Sequence, residues 1–155
     1  MRSVSFSIFA LAILLASPST AQSDRTHFSR AAGAPTAGTA SDPPFSTAVM
    51  VGDTLYISGA TDIDPATKKP PVDPKVGAKL ILDGMKRTVE RAGMTMDDLV
   101  WVQVFATNLS NYDAFNEVYR TYFQGPLPAR AFLGAGSLLR NSNFEIMGIA
   151  IKRKK

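Results

Sequence analysis

The chain has 155 residues, 45% of them hydrophobic and 19% charged, which is enough for one well-packed domain and too few for two of ordinary size. The formal charge of +4 is concentrated at the end, where Lys152, Arg153, Lys154 and Lys155 read as a solvated basic tail, so no nucleic-acid partner is expected. The absence of cysteine excludes disulfides, thiol catalysis and a lipidated cysteine.

In chain order, Arg2, the apolar run "FSIFALAILLA" from Phe6 to Ala16 and the small residues Ser19 and Ala21 have the make-up of a secretory signal over residues 1–21, cleaved after Ala21. The run is too short for a comfortable membrane span, so no membrane association is expected after cleavage. The expected location is periplasmic or secreted, or cytoplasmic if the signal is not used. Residues 22–42 are rich in Ala, Gly, Thr, Ser and Pro and offer little to bury, so they read as a flexible lead to a domain over 43–155. The only histidine, His27, falls in that lead and reads as solvated, which removes the usual residue of metal and acid–base chemistry. No metal site is expected.

"STAVMV" and "TLYISGA" read as two strands joined by a turn at Gly52-Asp53. The stretch from Ala60 to Pro74 is rich in turn residues and reads as a loop. Ala78, Ile81, Leu82, Met85, Val89 and Ala92 then fall at the spacing of an amphipathic helix between Pro74 and Gly93, with Lys79, Asp83, Arg87 and Glu90 outside. From Leu99 to Asn108, Val100, Val102 and Val104 alternate with Trp101, Gln103 and Phe105, a strand apolar on nearly both sides. A second helix is expected from Asn111 to Phe123, with Tyr112, Phe115, Val118, Tyr119 and Tyr122 as a core-facing stripe. Strands at "ARAFLGAG" and "NFEIMGIAIKR" close the chain. The order predicts an α+β fold, a mixed sheet with two helices on one face. Large apolar residues on the other face, Trp101 and Phe105 among them, point to a symmetric oligomer.

Two charges sit in strands that otherwise read as buried: Arg130 and Glu145. They pair with each other across adjacent strands, or Arg130 holds a carboxylate ligand in a two-pronged hydrogen bond while Glu145 positions or deprotonates a water. The second arrangement suits hydrolysis at a carbon that is already electrophilic. An unactivated amide would need a nucleophile–base pair or a metal, and neither is in view.

"YISGATDIDPATKKP", "VFATNLSNYDAFNEVY", "PLPARAFLGAG" and "NFEIMGIAIKR" resemble, in order and spacing, the signature blocks of the Rid family, the reactive intermediate deaminases also called the YjgF or enamine/imine deaminase family. The resemblance covers about Pro43 to Arg153. It implies a single chorismate-mutase-like domain assembled as a barrel-like homotrimer with active sites between subunits. It also implies hydrolysis of 2-imino acids, such as 2-iminopropanoate or 2-iminobutanoate, to 2-keto acids and ammonia without a cofactor. By the same resemblance Arg130 grips the substrate carboxylate and Glu145 orients the attacking water, Ser58 and Gly59 line the cleft, and Asn116 lies near it. The chain departs from the deaminase pattern at Phe45, where a tyrosine is usual, and at Phe132, where a cysteine is frequent. Both would line the pocket and make it bulkier or less polar. An alternative of the same fold is a non-catalytic trimeric module that binds a small acid, and an RNA-processing role would rest on the basic tail alone.

Overall fold

The computed structural model describes residues 25–29 and 43–153, so the expected signal and most of the lead lie outside the described residues. Six strands form one mixed sheet: β1 (Arg25–Phe28), β2 (Ala48–Val51), β3 (Thr54–Thr61), β4 (Leu99–Ala106), β5 (Ala129–Gly134) and β6 (Phe144–Ile151). Two helices, α1 (Pro74–Arg91) and α2 (Tyr112–Arg120), lie against one face. The spatial order is β1-β2-β3-β6-β4-β5, with β4 and β5 parallel and every other pair antiparallel.

Within the stretch expected to be a flexible lead, Arg25–Phe28 is instead a strand. It pairs with β2 from Arg25↔Val51 to Phe28↔Ala48, and Thr47 donates its N–H to the Phe28 carbonyl at 2.7 Å. His27 Nδ1 lies 2.9 Å from Ser46 Oγ, and Arg91 of α1 donates to the Ser29 carbonyl at 2.9 Å while its guanidinium carbon stands 5.9 Å from the Phe28 ring. Composition alone missed this element because it is held chiefly by the open hydrogen-bonding edge of β2, with Phe28 its one apolar side chain against the core.

The first helix follows its pattern. Asp73 caps it by accepting from the Lys75 N–H at 2.8 Å, Pro74 occupies the first turn where no N–H is needed, and Ala78, Ile81, Leu82, Met85 and Val89 are buried. Gly93, at φ 71°, takes the left-handed conformation just past its end. In β4 the expected alternation holds from Trp101 onward, but a bulge between Leu99 and Trp101 puts Leu99 in the core and leaves Val100 exposed.

The register sorts side chains onto two faces, because residues directly opposite in neighbouring strands share a face. Val102 aligns with Arg130 and Gly148, and Val104 with Phe132 and Ile146; this face packs on the helices through fully buried Phe115 and Phe144. Phe105 aligns with Leu133 and Glu145, and Trp101 with Ile149, on the face the helices leave open. Tyr56, Leu133, Val51 and Ile151 are exposed on that open face. Among the described residues no helix is long and apolar enough to cross a membrane.

Candidate active site

Arg130 does not lie in a buried strand. β5 is the last strand of the sheet, and its residues are half-buried or exposed. The side chain is on the helix face, where Nη2 donates to Asn116 Oδ1 of α2 at 2.6 Å. The guanidinium carbon stands 4.5 Å from the centre of the Tyr119 ring and within 6 Å of the Tyr112, Phe115 and Phe132 rings. Such an aromatic surround holds the cation by its π faces and fixes the plane of the fork. Its Nη1 is buried without a hydrogen-bond partner, and so is the Tyr119 hydroxyl. Burial pushes the Tyr119 phenol up to about 12 against the opposing charge of Arg130, so at neutral pH it is a protonated donor. A cleft of about 270 Å³ opens here between Asn116, Tyr119, Arg120, Leu127, Pro128 and Arg130.

Glu145 is on the other face, aligned with Phe105 and Thr61. Its carboxylate lies over Gly59, where a Cβ would collide with it; the β3–β6 register shifts between Ile57 and Ala60, at Ser58 and Gly59. Ser58 Oγ donates to the Ser46 carbonyl at 2.6 Å, which ties this bulge to the start of β2. Asp62, fully buried, fixes the start of β6 one residue before Glu145: its Oδ1 accepts from the Asn143 and Phe144 N–H groups at 2.9 and 3.2 Å. Burial raises the Asp62 carboxyl above its ordinary range even though these hydrogen bonds favour the anion. The ion pair across adjacent strands is therefore excluded, since β4 runs between β5 and β6 and the two side chains occupy opposite faces.

The expected site residues thus fall into two groups. Arg130, Asn116 and Phe132 stand together on the helix face, Phe132 with its ring edge-on to Tyr112 and Phe115 at 5.0 and 5.5 Å. Ser58, Gly59 and Glu145 stand together beside the open face, and the largely exposed Phe45 precedes the Ser46 carbonyl that anchors Ser58. Tyr119 is in the core, as its aromatic stripe predicts, and it also lines the cleft. Its position three residues after Asn116, on the same side of the helix, is the signal that places it in the cleft. A larger hollow of about 610 Å³ lies between the helices near Lys79, Asp83, Tyr122 and Arg153, but its polar groups are taken up with one another, as in Tyr122 to Asp83 at 2.6 Å and Arg153 to Asp98 at 2.7 Å. Among the described residues no group of three or more His, Cys, Asp or Glu is placed to hold a metal ion.

Residues 36–152 match the profile of the family described as Endoribonuclease L-PSP, the Rid or YjgF family. The chain belongs to the Rid family. A curated relative from Dermatophagoides farinae, named 2-iminobutanoate/2-iminopropanoate deaminase, is 36% identical over 70% of this chain and 85% of its own. Among solved Rid structures, a Thermotoga maritima protein described as a candidate endoribonuclease superposes with a TM-score of 0.71 at 34% identity, over 83% of this chain and 99% of that one. Escherichia coli TdcF with bound serine superposes with a TM-score of 0.70 at 28% identity, over 83% of this chain and all of its own. The family names thus divide between two activities, and only the residues of the site can separate them.

Proposed function

We propose that this Rid protein is an imine deaminase that converts a 2-imino acid and water to a 2-keto acid and ammonia, at a site assembled between copies of the chain. The observation that carries the reading is the buried, unpartnered Nη1 of Arg130, whose side chain is held by Asn116 among four aromatic rings and lines a cleft of about 270 Å³. A guanidinium with a free Nη1 donates to a carboxylate oxygen through a charge-assisted bond worth about 1.5–3 kcal/mol.

Arg130 holds the carboxylate. Glu145 accepts a hydrogen bond from a water and directs its oxygen to the imine carbon. The C=N pair moves to nitrogen, giving a carbinolamine; the proton lost by the water passes by way of Glu145 to the amine. The carbinolamine hydroxyl then passes its own proton to the amine as it collapses to the keto group, and ammonia leaves. Because Arg130 and Glu145 face opposite sides of one sheet, the site forms when the β5 edge of one copy meets the open face of the next. That contact is head-to-tail and closes into a ring, for which the family resemblance implies three copies. The apolar residues left on the open face, Tyr56, Leu133 and Ile151 among them, supply the area such a contact buries.

The curated relative named as a deaminase supports this reading, whereas an RNA-cleaving one has little to draw on, since Arg153 of the basic tail is engaged with Asp98. A binding module without turnover needs Arg130 and Asn116 but not Glu145. With 2-iminobutanoate generated in situ by an amino-acid oxidase, the wild type should speed its decay and Arg130→Ala should fall by about 100-fold or more. Glu145→Gln should lose turnover while still binding 2-oxobutanoate. Wild-type decay no faster than that of Arg130→Ala would refute the deaminase.

A further inference from the structure

We infer that Tyr119 is a second substrate-binding donor of this site, its hydroxyl holding one oxygen of the substrate carboxylate while Arg130 Nη1 holds the other. The inference rests on the proposed carboxylate site and adds to it a residue that lies outside the motif arginine and glutamate. Two buried donors without partners stand in one cleft, Tyr119 Oη and Arg130 Nη1. Folded proteins leave few such groups unpaired, and two on facing, stacked side chains call for a shared acceptor. Tyr119 is only 3% exposed, and its ring lies against the guanidinium at 4.5 Å and against Phe123 at 4.8 Å. The phenol is thereby held in place before any ligand arrives.

The chemistry of the acceptor follows from the donors. A neutral phenol O–H and one N–H of the guanidinium present two hydrogens and one positive charge, and a carboxylate presents two oxygens and one negative charge. Arg130 Nη2 already donates one of its two hydrogens to Asn116, which leaves less of the fork for a ligand. Tyr119 supplies a further contact. The free hydroxyl adds nothing to the stability of the unliganded protein, and its benefit appears on binding.

The test is calorimetric titration of 2-oxobutanoate into wild type, Tyr119→Phe and Arg130→Ala, with thermal melts of each unliganded protein. Tyr119→Phe should raise Kd about tenfold, as loss of one hydrogen bond to an anion does, with an unliganded melting temperature equal to or above that of wild type. The imine kcat/KM should fall by the same factor, with kcat less affected. In wild type, ligand should also perturb the near-ultraviolet tyrosine spectrum, a change that Tyr119→Phe removes. Tyr119→Phe binding as tightly as wild type while Arg130→Ala does not would overturn the inference and leave the carboxylate site standing. Both variants binding as wild type would overturn both. A lower melting temperature with unchanged Kd would show the hydroxyl to be a structural donor, and the inference would fail.

Discussion

Two buried carboxylates show how the same fold moves an acid in opposite directions. Asp98 is penalised by burial, but the Thr95 N–H at 2.7 Å and the Arg153 guanidinium at 2.7 Å outweigh that and hold its carboxyl below the ordinary aspartate value of 3.8. Its stabilisation is therefore complete above that value and is lost as pH falls through the lower folded-state one. Asp62 has the opposite sign: burial dominates, so whatever it contributes is complete below the ordinary value and declines as pH rises through its raised one. Asp98→Asn is expected to cost about 1–2 kcal/mol at pH 7, by loss of a cap and a charge-assisted bond. In urea titrations the gap between the two proteins should close below about pH 4, the ordinary carboxylate range. A gap that stays constant down to pH 2.5 would assign the loss to packing instead.

At the level of elements, two glycines of the central strands carry different duties. A Cβ at Gly59 would strike the tip of the Glu145 side chain, which can swing aside. A Cβ at Gly148 would stand 2.9 Å from the Trp101 carbonyl in the neighbouring strand, which cannot move without disturbing the β4–β6 pairing. Gly59→Ala should therefore lower kcat sharply with a stability change within about 1 kcal/mol, whereas Gly148→Ala should cost about 1–3 kcal/mol as overpacking does. Chemical denaturation and steady-state kinetics of the pair check this, and equal stability losses would contradict it. The elements themselves were largely legible, because α1, α2 and the later strands carry strong periodicities and clear stops. The bulge at Val100 was not, since alternation continues through it in sequence while the backbone inserts one extra residue. Nor was β1, whose Arg-Thr-His-Phe gives no apolar alternation.

For the whole molecule, the decisive fact was hidden for a different reason. Alternation within a strand says which residues share a face with one another, but not how two strands align, so Arg130 and Glu145 read as neighbours until the register placed one with Val102 and the other with Phe105. Arg130 and Glu145, the groups proposed to hold the carboxylate and to orient the water, thus belong to opposite sides of each copy, and the exposed apolar residues lie on the Glu145 side. Arg130→Ala and Glu145→Gln, each expected to be inactive alone, provide the most direct test when co-expressed in equal amounts so that their subunits mix. Each site then needs an intact Arg130 from one copy and an intact Glu145 from the next, so random assembly should restore about one quarter of the wild-type rate. Mixed assemblies that remain as inactive as either parent would show that both groups act within a single copy, contrary to the opposite-face geometry.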